Sequence, residues 1–191
     1  MKPEQIKQLF EQHKALLSGH FLLSSGLHSD TYFQSALILQ HPNEAEKLAS
    51  ALAGKILKDI PEIDVVVSPA MGGIIIGQEV AAQIGCRAIF TERVENKMTF
   101  RRGFQIEKDE KCLVVEDVVT TGLSTREVVE VIKTLGGSVV AVASLVDRSG
   151  GKADLGAPLF SLLALEVKSY KAEECPMCKE GSQPIKPGSR K

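Results

Sequence analysis

From residue 64 onward, short aliphatic runs alternate with helical repeats, and the runs lack the in-and-out alternation of a sheet with one face in water. Residues 65–67, 112–115 and 139–143 are apolar at successive positions, so both faces of each strand must be covered. That pattern reads as a parallel sheet between two helix layers, an α/β doubly wound arrangement. The spacing predicts strands over 64–68, 87–90, 112–116, 138–146 and 159–165. It predicts helices over 74–84, stopped by Gly85, and over 124–135, with a Ser124/Glu127 capping box and a Gly136-Gly137 stop. Upstream, an amphipathic helix is expected over 4–17, closed by Gly19, then a small turn-rich hairpin around residues 21–33 and a helix over 43–58. A length of 191 residues fits one domain, with 1–40 as a small N-terminal unit and 168–191 as a Lys-, Gly- and Pro-rich surface tail.

Charge narrows the function classes. The 23 Lys and Arg balance 24 Asp and Glu, so no surface built wholly for nucleic acid or anionic membrane is expected. No apolar run approaches the ~20 residues of a bilayer span, and the charged N-terminus offers no secretory signal; a cytoplasmic protein is expected. Cys86 and Cys112 read as small buried residues. Cys175-Pro-Met-Cys178 is half of a zinc site, but all the histidines (His13, His20, His28, His41) stand in the first 41 residues. A tail-local metal cage therefore lacks its other ligands, and a reduced or redox-labile thiol pair is expected.

Three strand-to-helix loops carry the chemistry, because ligands of an open parallel sheet sit at the carboxyl ends of its strands. In the first, Glu116 and Asp117 end an apolar strand and are followed by Val118, Val119, Thr120, Thr121, Gly122, Leu123 and Ser124. Carboxylates accept hydrogen bonds from vicinal hydroxyls, and a Thr/Gly/Ser turn at a helix start offers N–H groups and hydroxyls to a phosphate. The chain has neither a GK[ST] P-loop nor a GxGxxG fingerprint. The second loop, Ser68-Pro-Ala-Met-Gly-Gly73, lets backbone approach an anion. The third, residues 92–104, carries Arg93, Lys97, Arg101 and Arg102; alone it reads equally as a solvated charged hairpin, and beside the other two loops as a mobile basic flap over 91–104.

VVEDVVTTGLST resembles the phosphoribosyl-pyrophosphate (PRPP) signature of the type I phosphoribosyltransferases, and the likeness extends to nearly the whole chain. The resemblance implies that Glu116 and Asp117 hold ribose, that residues 118–125 cradle the 5-phosphate, and that Ala70, Met71 and Gly72 face pyrophosphate with Arg93 and Lys97. Residues 19–26 with Ser29 and Tyr32-Phe33, and the stretch 144–148 ending in Arg148, are similar to the orotate-specific members. There the aromatic pair lines the base pocket, the Arg pairs with the orotate carboxylate, and Thr120 also donates to orotate. The hood over 1–40 would thus read the base.

What the resemblance implies is transfer of the phosphoribosyl group from PRPP to orotate, giving orotidine 5′-monophosphate and pyrophosphate in pyrimidine biosynthesis. Mg2+ would be held mainly by PRPP, with no metal ligand set supplied by the protein alone. The flap would reach into a neighbouring subunit of a homodimer, with Lys97, Arg93 and Asp117 as catalytic groups. The sequence departs from some members, which carry Lys at the positions of Ser24, Gly72 and Val94 and His at that of Thr99, so Arg101 or Arg102 could share the cationic role. The tail through residue 190 matches one branch, without a mechanism attached. Two alternatives stand beside this reading. One is a purine or another base as acceptor, against which Tyr32, Phe33 and Arg148 argue, since a purine gives the guanidinium nothing to hold. The other is a non-catalytic regulatory protein of the same fold binding nucleotide or RNA, for which the balanced charge supplies no basic face.

Overall fold

The computed structural model describes residues 1–23 and 26–187, so Ser24, Ser25 and the last four residues, Arg190 among them, lie outside the described residues. In chain order the elements are α1 (Pro3–Gln12), β1 (Leu16–Leu22), β2 (His28–Phe33), α2 (Ala36–Leu39), α3 (Pro42–Ile56), β3 (Val65–Pro69), α4 (Gly73–Ile84) and β4 (Arg87–Val94). They continue with β5 (Lys97–Phe100), β6 (Lys111–Val119), α5 (Leu123–Thr134), β7 (Ser138–Asp147), β8 (Leu159–Ala164), β9 (Ser169–Tyr170) and α6 (Pro176–Lys179). No helix among the described residues is long and apolar enough to cross a membrane.

Six strands form the central sheet in the order β5-β4-β3-β6-β7-β8, parallel throughout except for the β4–β5 edge pair. Successive residues of the inner strands enter opposite cores. Val66, Leu113, Val115 and Ala143 pack with Leu48, Leu52 and Ile56 of α3 and Ile76 and Val80 of α4. Val65, Val67, Val114 and Val142 pack with Val128, Val129 and Ile132 of α5. The unbroken aliphatic runs are thus explained by two buried faces. Chain order reverses beside β3: β4 lies on one side of it and β6 on the other. At such a switch point the loops after β3 and β6 diverge and leave a crevice at the carboxyl edge.

A second sheet, β1-β2-β9, forms the hood. Here the structure corrects the expected first helix. It stops at Gln12, the chain turns through Lys14 at φ 54°, and Leu16 and Leu17 pair with Phe33 and Tyr32. Apolar residues at 15–17 satisfy a helical repeat as well as a strand, and pairing with β2 decides between them. The capping box is also absent: Gly122 is the N-cap of α5 at φ 74°, Ser124 turns to Glu116 and Glu127 to Arg93.

Over residues 91–100 the basic segment is a β-hairpin. β4 continues to Val94 and returns as β5 through Glu95-Asn96, with Val94 paired to Lys97. Both turn residues have positive φ, 47° and 63°, which matches the strand twist in a two-residue hairpin. The tail departs from expectation as well. It has no core of its own, yet β9 pairs with β2, Cys175 is fully buried, and Ile185 exchanges backbone hydrogen bonds of 2.8 Å with His20 and Leu22. This docking brings His20 and His28 against Cys175 and Cys178, so the thiols have the histidine neighbours that chain distance seemed to deny them. Antiparallel pairing of a tail strand across some 140 residues leaves no local signal in sequence.

Candidate active site

The crevice beside the switch point is a cavity of ≈590 Å3. Asp117, Val118, Thr120, Thr121 and Leu123 form its floor. Tyr32, Phe33, Leu23, Leu27 and Arg148 form its roof and side, with Val167 and Ser169 from the chain that leads into the tail. This volume suits a small-molecule ligand.

Glu116 and Asp117 behave differently although adjacent. Glu116 is 7% exposed; it accepts hydrogen bonds from Ser124 Oγ at 3.1 Å and the Asp117 N–H at 3.3 Å. Burial, and then the neighbouring Asp117 carboxylate, raise its carboxyl well above the ordinary range, which favours its protonated form. Asp117 is half-buried and faces the second loop across a narrow gap. A Cβ on Gly72 would lie 2.7 Å from Asp117 Oδ1. Behind it α4 lies close against the strands, since a Cβ on Gly73 would come within 2.9 Å of the Val115 carbonyl oxygen. The α4 N-terminus is thereby held beside Asp117, with Ala70 and Met71 leading into it; Met71 is 81% exposed. The Ala70–Met71 peptide is cis.

The loop after β6 is shorter than expected. Val118 and Val119 still pair with Val146 and Asp147 in the sheet, the Val119 side chain is core, and Thr125 is fully buried in α5. That leaves Thr120–Ser124 as the turn that can face a phosphate. Both threonines are exposed, and Gly122 cannot be replaced without strain, because its φ is positive and a Cβ would lie 2.4 Å from Leu155.

Arg148 follows β7. Its position is set by Asp147, a residue whose importance sequence reasoning missed. Buried at 3% exposure, Asp147 accepts from the N–H and Oγ of Ser149 at 2.8 and 2.7 Å and from the Gly151 N–H at 2.9 Å. The guanidinium lies 5.8 Å over the Phe33 ring and reaches Ser29 Oγ and the Thr31 carbonyl only through long contacts of 3.4 and 3.5 Å. Its Nε is buried without a partner, and among the described residues no carboxylate comes within ion-pair distance. Burial lowers its pKa, the mark of a cation short of counter-charge. Tyr32 lies between the charges: burial and Asp117 raise its phenol, and Arg148 opposes them. Phe33 does double duty, lining the cavity and meeting Phe10 edge-on at 5.9 Å in the core.

Arg93 and Lys97 stand apart from this group, on the β4–β5 hairpin and outside the cavity lining. Arg93 pairs with Glu127 and donates to the Asn96 carbonyl at 2.7 Å. Arg102 pairs with Glu92. Lys97 is exposed and forms no ion pair among the described residues. The structure thus unites Asp117, Thr120, Thr121, Tyr32, Phe33 and Arg148 around one crevice, keeps Glu116 buried beside Asp117, and leaves the flap cations on their own hairpin. Leu23, Leu27 and Val167, which also line the crevice, gave no signal in sequence beyond being apolar.

Comparison with known proteins agrees with this geometry. Residues 35–175 match the family model for the phosphoribosyl transferase domain. An orotate phosphoribosyltransferase of Caldanaerobacter subterraneus subsp. tengcongensis is 54% identical over 191 residues, all of both chains, and one of Carboxydothermus hydrogenoformans is 54% identical over 96% of each. The crystal structure of orotate phosphoribosyltransferase from Aeropyrum pernix superposes with a TM-score of 0.70 at 24% identity, covering 84% of this chain and 94% of that one. An adenine phosphoribosyltransferase from Thermoanaerobacter pseudethanolicus has a TM-score of 0.60 at 16% identity, covering 71% and 88%. At that level the structural neighbours speak for the fold alone, and base choice rests on the sequence relatives and on the crevice. An acidic pair at a switch point, full-length relatives at more than half identity and a matching domain model together place the chain in the phosphoribosyl transferase family, within its orotate phosphoribosyltransferase branch.

Proposed function

We propose that the chain transfers the 5-phosphoribosyl group of PRPP to N1 of orotate, releasing pyrophosphate and orotidine 5′-monophosphate. The observation that carries the choice of base is Arg148, a half-buried guanidinium with an unpartnered Nε at the side of the crevice that holds Tyr32 and Phe33. Orotate brings a carboxylate for the planar fork and a flat ring for the aromatic faces, whereas adenine and hypoxanthine bring only the ring.

In this reading Asp117 accepts hydrogen bonds from the ribose hydroxyls. The protonated Glu116 behind it, fixed by Ser124, adds no second charge. The Thr120–Ser124 turn at the start of α5 receives the 5-phosphate through its N–H groups and hydroxyls. Breaking the C1–O bond gathers positive charge on ribose and negative charge on the leaving pyrophosphate, so the residues act by position and charge instead of by proton transfer to carbon. The donor set fits Mg2+ carried in with PRPP: the outward-facing Asp117 carboxylate opposite the narrow Gly72 approach can meet a hard cation that keeps its phosphate and water ligands. When bound, that ion neutralises charge on the pyrophosphate.

Lys97 supplies the remaining positive charge. Because its hairpin stands outside its own crevice, we place it over the crevice of a second copy in a homodimer, where it shields the reaction from water. The reaction would take place in the cytoplasm. Orotate absorbs in the ultraviolet, so its consumption with PRPP and Mg2+ tests the proposal, with uracil, adenine and hypoxanthine as controls. Selective loss of orotate is expected, and turnover of a purine at a comparable rate would overturn it.

A further inference from the structure

We infer that His20, His28, Cys175 and Cys178 form a structural zinc site that clasps the tail to the hood. The four donor atoms lie within 4.8 Å of one another, and His20, His28 and Cys175 are buried. His20 Nε2 is 2.8 Å from His28 Nδ1, 3.5 Å from Cys175 Sγ and 3.7 Å from Cys178 Sγ, and Cys178 Sγ is 3.3 Å from His28 Nδ1. A zinc tetrahedron built on usual bond lengths has edges of ~3.3 Å between nitrogens and ~3.6 Å between nitrogen and sulfur. The His–His edge must open by about half an ångström and the His28–Cys178 edge by about 0.3 Å on the same reckoning.

Local structure prepares each ligand. The turn between β1 and β2 sets Leu22 opposite His28, which places the two imidazoles across the hairpin. Cys175 is the N-cap of α6, and one turn later Cys178 presents its thiol to the same side. The His20 tautomer follows from its other contact. Nδ1 meets the Ser182 carbonyl oxygen at 3.1 Å, and a carbonyl only accepts, so Nδ1 carries the hydrogen and Nε2 turns a lone pair to the cluster. Two thiolates and two imidazoles in a tetrahedral array select zinc over magnesium or calcium, and four protein ligands leave no open position for substrate. The site is therefore structural. It lies next to Ser29, which donates to the Lys168 carbonyl and touches Arg148, so the clasp fixes the hood that roofs the crevice. This last consequence, unlike the site itself, rests on the proposed function.

The test uses the full chain purified under reducing conditions from zinc-supplemented cells, with metal content measured by mass spectrometry and cobalt exchanged for zinc. One zinc per chain is expected, together with the strong visible bands of tetrahedral cobalt and a near-ultraviolet sulfur-to-cobalt band. That sulfur band should fall by about half in C178S and persist in C86S. Chelation should lower the thermal midpoint by several degrees and raise the KM for orotate several-fold, with that for PRPP little changed. Substoichiometric metal, weak octahedral cobalt bands, or a Cys175–Cys178 disulfide in the reduced preparation would overturn the assignment. The metal content, cobalt spectra and thermal midpoint do not depend on the acceptor base. A protein that binds zinc but leaves orotate untouched would refute the proposed function and leave the clasp standing.

Discussion

Replacing Arg148 with methionine separates recognition from stability. The guanidinium makes only two long hydrogen bonds, at 3.4 and 3.5 Å, has no carboxylate partner among the described residues, and buries an unpaired Nε. Losing contacts of that quality costs well under about 1 kcal/mol, and removing an uncompensated half-buried charge offsets it. Methionine gives up the guanidinium contact with Phe33 but keeps an unbranched apolar stem, so the thermal midpoint should stay within roughly 4 °C of the parent. Binding behaves differently. Charge-assisted hydrogen bonds to a substrate carboxylate are worth about 1.5–3 kcal/mol, which corresponds to a rise of roughly 10- to 150-fold in the KM for orotate. Initial rates measured against each substrate in turn, with a melting curve of the same preparation, provide the assay. The KM for PRPP should change less than threefold, and the preference for orotate over uracil should shrink. An unchanged orotate KM, or equal loss for both substrates with a large fall in melting temperature, would refute the reasoning.

Other consequences follow from the acidic pair and the hairpin. D117N should weaken PRPP binding at least tenfold in a calorimetric titration while leaving orotate binding to the free enzyme nearly intact; unchanged PRPP affinity would remove Asp117 from the ribose. Because the folded state raises the Glu116 pKa, its stabilising protonated form is fully present below the unfolded value of about 4.5 and is lost as pH rises through the folded value. E116Q, a mimic of the protonated form, should match the parent at acid pH and melt progressively higher than it as pH rises; a constant difference would argue against a protonated Glu116. K97A should leave PRPP binding largely intact and lower turnover by orders of magnitude. If the hairpin serves a partner's crevice, mixing K97A with D117N at a PRPP concentration that supports parental turnover but leaves D117N unsaturated should restore up to about a quarter of parental activity, and no recovery after subunit exchange would place Lys97 over its own crevice.

Legibility in sequence divides by whether the determining contact is local. The switch-point sheet could be read because two-faced burial writes itself into every strand, as in Val65–Val67 and Cys112–Val115. The acidic pair with its Thr-Thr-Gly turn was legible because strand, loop and helix start are contiguous. Arg148 could be singled out by resemblance, but not its missing counter-charge, which depends on what β2 and β7 place around it. Residues 15–17 satisfied two repeats at once and were settled by pairing with β2. Ser124 and Glu127 had capping-box spacing, yet each found a better partner, Glu116 and Arg93, from another element. The zinc ligands lie some 150 residues apart in pairs, and each pair alone falls short of a site. Only the docking of β9 on β2 makes four of them.

Phosphorus NMR of the protein with PRPP, Mg2+ and orotate follows both bonds of the proposed reaction at once. The pyrophosphoryl signals of PRPP should convert to free pyrophosphate in step with one new nucleotide phosphomonoester per pyrophosphate, and uracil in place of orotate should leave PRPP standing. Pyrophosphate released without the nucleotide, or released equally with no base present, would contradict the account.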